Sequence, residues 1–236
     1  MSIAENLSSI EARITEACRK SGRHRESVRL MAVSKGQPFS AITEAAALGL
    51  TLFGESKIQE AKLKISEAPA RWHWHMIGHL QSNKCRDAVH FFRMIHSVDS
   101  LSLAKELQKC AEKSGKTVQI LIEVNIAGES TKFGYKPAQL LTELKELNGL
   151  NRLELHGLMT IAPYTQDAEK VRPFFRQLKH LKAQCEQELG APLPELSMGM
   201  SGDFEIAIEE GATIVRLGTS LFGARPPVRL RQGSGE

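Results

Sequence analysis

A single lysine, Lys35, follows a short apolar stretch near the start of the chain. Residues 30–34 have the composition of a buried strand, and residues 36–38 (Gly-Gln-Pro) can end that strand and open a helix. The amine of Lys35 is therefore expected at the carboxyl end of a strand, the edge where α/β proteins place groups that contact ligands. A lysine at this edge can take part in chemistry, or it can be an ordinary solvated residue.

Two segments rich in glycine and hydroxyl groups lie near the end of the chain. The first, SMGMSGD at residues 197–203, turns from a predicted strand through Gly199 and Gly202 into a helix that should begin near Asp203. Backbone amides and the Ser201 hydroxyl would point outward from such a turn, which suits a phosphate group.

The second segment, VRLGTS at residues 215–220, is a predicted strand that ends in Gly218 and the hydroxyls of Thr219 and Ser220. In α/β barrels a phosphate site is often shared by the loops after the seventh and eighth strands. The two segments together therefore predict a phosphate site. The alternative is that their glycines serve only tight turns between strands and helices.

Arg216 lies inside the last predicted strand, between Val215 and Leu217. Because side chains alternate along a strand, the guanidinium faces the interior of a barrel if these apolar neighbours face the helices. A buried arginine needs a partner. A ring nitrogen or a carboxylate would serve, and a salt bridge with one of the protein's own acidic residues is the alternative.

His73 and His75 share one face of a predicted strand, and His79 follows in the next loop. A zinc site needs three or four ligands with supporting partners, but the nearest cysteine, Cys85, falls in a predicted helix. We therefore expect no metal. Residues 54–56 and 78–84 are expected to supply polar loop groups at the mouth of the barrel.

Short apolar runs alternate with amphipathic segments along the chain, which is typical of βα units and a parallel sheet. Eight strands in alternation suit a closed (β/α)8 TIM-type barrel better than an open sheet. Ser2 and Glu5 form a capping-box pattern for an extra N-terminal helix. The predicted strands are residues 30–34, 50–53, 73–77, 94–98, 118–124, 154–159, 195–200 and 214–217. The predicted helices lie near residues 40–48, 58–67, 84–91, 101–114, 137–147, 168–189 and 204–210.

No linker rich in Pro, Gly or Ser divides the chain, and 236 residues is about the length that one α/β barrel requires. We therefore predict one barrel domain over residues 1–225 and a flexible tail at residues 226–236. The tail is polar and contains arginines, so an arm that binds anions or nucleic acid is the alternative.

The composition is that of an ordinary soluble protein, with 42% hydrophobic residues, 25% charged residues and a net charge of +4. This charge is too small to indicate nucleic acid, and neither a membrane span nor a signal peptide is evident. We expect a cytoplasmic protein without nucleic-acid or membrane partners. The four scattered cysteines, which form no CxxC pair, are expected to be reduced and to serve as small apolar residues.

The chain resembles the pyridoxal 5′-phosphate-binding homeostasis proteins, a family related to the barrel domain of bacterial alanine racemases. The resemblance covers nearly the whole chain in the family's order. The matching stretches are AVSK at 32–35, FGES with QE at 53–60, WHMIGHLQSNK at 74–84, KFG at 132–134, HGLMTIAP at 156–163, LSMGMSGDFEIAI at 196–208 and VRLGTSLFGAR at 215–225.

The resemblance implies that Lys35 forms a Schiff base with pyridoxal 5′-phosphate and that Arg216 faces the pyridine nitrogen. It also implies that three residues hold the phosphate, namely Ser201, Gly218 and Thr219. Three further residues are implied at the wall and mouth of the cofactor pocket, namely Met200, Ile77 and His79.

One position departs from the family's pattern. Where its members usually have FGEN followed by an aromatic residue, this chain has Ser56 and Lys57. A polar contact expected from the asparagine is therefore replaced by a shorter hydroxyl, which can bond through water.

The resemblance implies a non-catalytic protein that acts in cofactor homeostasis and supply, as a monomer in transient contact with apoenzymes that need the cofactor. An amino-acid racemase and a barrel enzyme that binds nucleotides or phosphosugars are the alternatives.

A racemase needs a second acid–base group opposite the lysine, which in related racemases is a tyrosine of another domain. The chain ends soon after the last barrel motif, so we expect no such domain. Of its two tyrosines, Tyr135 and Tyr164, only Tyr164 falls on a mouth loop, where we expect a packed ring.

Overall fold

The computed structural model describes residues 1–224, so the tail predicted at residues 226–236 lies outside the described residues. Eight parallel strands form a closed barrel in which each strand pairs with the next and the last pairs with the first. This confirms the predicted fold class. The strands are β1 (Arg29–Val33), β2 (Leu52–Glu55), β3 (His73–Met76), β4 (Met94–Val98), β5 (Val118–Glu123), β6 (Leu153–Met159), β7 (Glu195–Ser197) and β8 (Ile214–Leu217).

Helix α1 precedes the first strand, and the other helices follow strands. They are α1 (Ile3–Lys20), α2 (Phe39–Ala47), α3 (Ile58–Glu67), α4 (Cys85–Phe91), α5 (Leu101–Ser114), α6 (Pro137–Asn148), α7 (Arg172–Leu189), α8 (Phe204–Glu209) and α9 (Thr219–Phe222). The predicted helix at 168–189 is α7 preceded by a 3-10 turn at Ala168–Val171, where Asp167 accepts a hydrogen bond from the Glu169 amide. The short helix α9 was not predicted, since four residues are too few for a periodic pattern.

The helix α1 begins at the predicted capping box. The Ser2 hydroxyl accepts a hydrogen bond from the Glu5 amide, and the Glu5 carboxylate accepts one from the Ser2 amide. The buried face of α1, which includes Ile10 and Ile14, packs against α8 and α9. The helix therefore covers the part of the barrel that contains the last two predicted ligand loops.

The strand β2 lies two residues later in the chain than predicted. It includes Gly54 and Glu55, which were expected in a mouth loop but are buried in the barrel wall. A Cβ atom at position 54 would lie 2.6 Å from the Met31 sulfur, so a larger residue there would displace the Met31 side chain. Glu55 can be buried because Lys64 of α3 neutralises it at 2.7 Å.

The cysteines are free, as predicted: Cys18, Cys85 and Cys185 are buried, and Cys110 is half-buried. Burial raises the pKa of the Cys85 thiol to about 12, which keeps it protonated and inert. Within residues 1–224, the structure contains no helix with the length and apolar character that crossing a membrane would require.

Candidate functional site

A cavity of about 270 Å³ lies at the carboxyl ends of the strands, between the loops after β1, β2, β3, β6, β7 and β8. Eight of the nine predicted site residues line it: Lys35, Ser56, Ile77, Met200, Ser201, Arg216, Gly218 and Thr219. The sequence analysis did not assign four other residues of its lining: Val33, Gln37, Ile161 and Gly202. Gln37 could have been suspected, since it lies two residues after Lys35 at the same strand edge, and Gly202 had been named as part of the phosphate motif.

Lys35 is half-buried in the turn that follows β1. The turn closes because the Gln37 amide donates to the Ser34 carbonyl at 3.0 Å. Gly36 has a φ of 73°, which is in the left-handed region that a side chain disfavours. The glycine after the lysine therefore permits the sharp turn that brings Lys35 to the cavity.

Arg216 is held in one orientation at the base of the cavity. Its guanidinium donates to the Ser197 hydroxyl at 2.7 Å and to the Thr160 carbonyl at 2.8 Å. No acidic side chain of the described residues forms an ion pair with it, so the predicted alternative of an internal salt bridge is wrong. Burial lowers the pKa of Arg216 to about 10, and the guanidinium still carries its charge at neutral pH.

A chain of neutral polar groups continues from Arg216 along the barrel interior. Ser197, which accepts from Arg216, also contacts His96 Nδ1 at 3.0 Å, and His96 Nε2 lies 2.9 Å from His75 Nδ1. Burial lowers the pKa of His75 to about 3 and that of His96 well below its ordinary value. Arg216 is therefore the only charged member of this chain at neutral pH.

The loops after β7 and β8 meet at their hydroxyl groups. The Ser201 hydroxyl lies 3.0 Å from the Ser220 hydroxyl and accepts a hydrogen bond from the Ser220 amide at 3.3 Å. In residues 1–224, no acceptor pairs with the amides of Ser201, Gly202 or Thr219, all of which line the cavity. These donors can bind an anionic group, because backbone amides at the start of a turn or helix lack internal acceptors.

Ser56 lines the cavity from the loop after β2, and the loop after β3 supports it closely. A Cβ atom at Gly78 would lie 2.5 Å from the Ser56 carbonyl oxygen and 2.7 Å from its Cα atom. Only glycine permits this approach between two backbones. The GES and IGH motifs are therefore coupled through one backbone contact.

His79 is the one predicted site residue that does not line the cavity. Its exposed ring stacks on Phe133 with 3.6 Å between ring centroids, and its Nδ1 atom lies 3.1 Å from an Asp99 carboxylate oxygen. It borders a wider polar groove of about 820 Å³ beside Ser82 and Glu106. The role of His79 at the mouth of the pocket stays a prediction.

Neither tyrosine lines the cavity. Tyr164 is 94% exposed, so the expectation of a packed ring was wrong. Tyr135 is buried, and its hydroxyl donates to a Glu143 carboxylate oxygen at 2.9 Å. The described residues therefore place no tyrosine opposite Lys35.

The two histidines of β3 contact other side chains of the protein. His73 Nδ1 lies 3.2 Å from an Arg93 nitrogen, while His75 contacts His96. In the part of the chain that the structure describes, no three His, Cys, Asp or Glu side chains are grouped so that they could hold a metal ion.

The family model described as alanine racemase, N-terminal domain, matches residues 6–226. The chain is 44% identical over 227 residues to a pyridoxal phosphate homeostasis protein of Aquifex aeolicus, covering 95% of this chain and 99% of the relative. PipY of Synechococcus elongatus, solved with PLP bound, is similar with a TM-score of 0.83 and 40% identity, covering 94% of this chain and 100% of PipY. An alanine racemase of Clostridium difficile is similar in fold, with a TM-score of 0.75 at 15% identity over 95% of this chain and 57% of the racemase.

Proposed function

This chain belongs to the pyridoxal phosphate homeostasis protein family, and we propose that it binds pyridoxal 5′-phosphate through a Schiff base with Lys35 without catalysing a reaction. In this proposal the protein serves intracellular cofactor homeostasis and supplies the cofactor to apoenzymes. It acts in the cytoplasm as a monomer whose contacts with those apoenzymes are transient.

One observation carries the proposal: a single small cavity combines a lysine, a cluster of unpaired hydrogen-bond donors and a buried arginine. These groups fit the three parts of the cofactor, because an amine can attack the aldehyde, amides and hydroxyls can hold the phosphate, and a guanidinium can face the ring nitrogen. Lys35, Ser201 with Gly218 and Thr219, and Arg216 would fill these roles. When bound, the cofactor supplies an electrophilic carbonyl and a ring that can delocalise electrons.

The charge on Arg216 supports a holding role over a catalytic one. Ser197 and Thr160 hold the guanidinium in place, so the side chain cannot turn away from the cavity. A positive charge beside a pyridine nitrogen disfavours its protonation. The ring is then a weaker acceptor of electrons than one paired with a carboxylate.

The mouth of the cavity supports release and transfer. Thr219 is exposed, and Ile161 and Met200 retain 38% and 36% of their accessible surface. Water and incoming amines can therefore reach the lysine, whereas a catalytic site benefits from excluding them.

Reduction of the loaded protein with borohydride tests the proposal. We expect a stable cofactor label on Lys35 in the mapped peptides, and loss of both the label and the visible absorbance in Lys35→Ala. Lys57→Ala is the matched control, because Lys57 is exposed just before α3 and should leave the label intact. A label that maps to Lys57 or Lys84 in the native protein would contradict the assignment.

A racemase is the competing function, and isotope exchange separates the two. The loaded protein is incubated with L-alanine and other amino acids in deuterated water, and we expect no sustained exchange of the α-proton and no racemisation. Turnover that disappears in Tyr164→Phe would overturn the non-catalytic assignment, because it would make Tyr164 the second acid–base group.

A further inference from the structure

We propose that Lys64, held between Glu55 and Glu60, is a positioning residue that fixes the backbone on both sides of Lys35 so that its amine faces the cofactor's aldehyde. The inference rests on the proposed function. It concerns a buried charged cluster beneath the cavity, which none of the roles assigned above uses.

The ammonium of Lys64 lies in the barrel wall, with only 8% of its side chain exposed. It donates to the Ser34 carbonyl at 2.7 Å, to Glu55 Oε1 at 2.7 Å and to Glu60 Oε1 at 2.6 Å. All three donor positions of the ammonium are therefore used. The first of these contacts fixes the peptide unit that precedes Lys35.

Glu60 fixes the peptide unit that follows Lys35. Its Oε1 atom accepts a hydrogen bond from the Gly36 amide at 2.5 Å and also accepts from Lys64. Burial opposes ionisation of Glu60, but these hydrogen bonds outweigh it and lower the pKa of the carboxyl. Glu60 is therefore a charged acceptor at neutral pH, and hydrogen bonds to charged groups are the stronger ones.

Glu55 ties the same cluster to β1 and β2. Its Oε1 atom accepts from the Ser34 hydroxyl at 2.6 Å, and its carbonyl accepts from the Ile77 amide at 2.9 Å. Both Ile77 and Ser56, the residue after Glu55, line the cavity. One cluster thus connects three of the strand ends that surround the site.

Stability alone does not account for this cluster. An apolar replacement of a buried ion pair is often neutral or stabilising, and the Glu55 Oε2 atom is buried here without a hydrogen-bond partner. What the cluster does achieve is geometric: it holds the Ser34 carbonyl and the Gly36 amide, and so fixes the backbone on both sides of Lys35. Such restriction accelerates attack on a bound carbonyl, because a displacement of about 1 Å can cost on the order of a hundredfold in rate.

Lys64→Met tests the inference, because methionine is apolar and of similar length. We expect the visible absorbance of the link to Lys35 to form roughly ten- to a hundredfold more slowly when pyridoxal 5′-phosphate is mixed with the protein. Binding of pyridoxamine 5′-phosphate, which has no aldehyde, should stay within about twofold because it depends on the phosphate contacts and not on Lys35. The matched control is Lys62→Met, which alters an exposed lysine of the same helix and should behave as the native protein.

Glu60→Ala provides a second variant if Lys64→Met does not fold, since Glu60 is 29% exposed and alanine favours the helix. We expect slower formation of the link in Glu60→Ala and partial recovery in Glu60→Gln, whose amide oxygen can still accept from Gly36. Native-like rates in the variants would overturn the inference, as would an equal loss of binding for both ligands, which indicates a merely structural role. If the native protein itself acquires no borohydride-stable label on Lys35, it is the proposed function that fails.

Discussion

Ser201 and Thr219 stand on different loops but line the same cavity, where no acceptor within residues 1–224 pairs with the amides of Ser201, Gly202 or Thr219. The Ser201 hydroxyl also contacts Ser220, so it joins the two loops as well as offering a donor to a ligand. At the scale of single residues, the proposed phosphate site therefore combines two hydroxyls with several backbone amides.

Alanine at Ser201 or Thr219 should weaken cofactor retention and leave the visible spectrum of the bound fraction unchanged. The reason is that in the proposed binding mode each hydroxyl bonds to the phosphate and neither contacts the aldehyde. A lost hydrogen bond to a charged group costs roughly 1.5–3 kcal/mol. Equilibrium dialysis with absorbance detection measures both effects. Thr142→Ala on the exposed face of α6 is the control. Unchanged affinity in both variants would place the phosphate elsewhere.

At the scale of elements, the loops after β2 and β3 act as one unit because their backbones touch at Gly78 and Ser56. The carbonyl of Glu55 also accepts the Ile77 amide, so the contact continues the pairing of β2 with β3 beyond the ends of the strands. A small change in the loop after β3 must therefore move the loop after β2, and with it Ser56, which stands where the family usually has asparagine.

Gly78→Ala should displace Ser56, because the new Cβ atom would lie 2.5–2.7 Å from its backbone. We expect a loss of roughly 1–3 kcal/mol in the free energy of unfolding, as is typical of overpacking, together with weaker cofactor binding. Urea unfolding and dialysis measure the two quantities. Gly149→Ala is the control, since its Cβ atom would make ordinary contacts of 3.4 Å far from the cavity. A variant as stable as the native protein would contradict this prediction, because it would show that the two loops move apart without a loss of stability.

At the scale of the whole molecule, the barrel interior contains a hydrogen-bonded chain from His75 through His96 and Ser197 to Arg216. The two histidines come from neighbouring strands, while Ser197 and Arg216 come from the strands that close the barrel. Closure therefore buries both imidazoles in the neutral form, beside a guanidinium that retains its charge.

The two buried histidines should destabilise the protein as the pH falls below about 6.5, while the buried Glu123 carboxyl, whose pKa burial raises to about 7, acts in the opposite direction. The folded-state pKa of His75 is lowered to about 3 and that of His96 lies well below 6.5, so below pH 6.5 the unfolded chain binds protons that the folded barrel does not. His75 contributes roughly 2 kcal/mol of destabilisation between pH 6.5 and 5, and His96 acts in the same direction. Denaturant unfolding at several pH values measures the slope, which should be shallower in His96→Gln and unchanged in the control His180→Gln, because His180 is exposed. Equal slopes in all three proteins would contradict the assignment.

Local patterns in the sequence were sufficient to predict the alternation of strands and helices, the capping box and the position of Lys35 at a strand end. Each of these features depends on residues close together in the chain, such as the Gly36 turn that follows β1. The edge that holds the ligand groups was predicted for the same reason, since in a parallel barrel every strand ends at the same mouth. The family resemblance added the individual roles of residues, which periodicity does not encode.

Only the tertiary structure decided which distant side chains meet. Arg216 takes its partners from residues 19 and 56 positions away, Glu55 is buried because Lys64 reaches it from α3, and His79 turns aside to stack on Phe133. The exposure of Tyr164 was decided at the same level, since it depends on which distant residues the loop after β6 contacts. These contacts follow from the stagger and closure of the barrel. The sequence could not predict them because a repeating pattern of apolar residues specifies which face of an element is buried, but not which distant residue lies against that face.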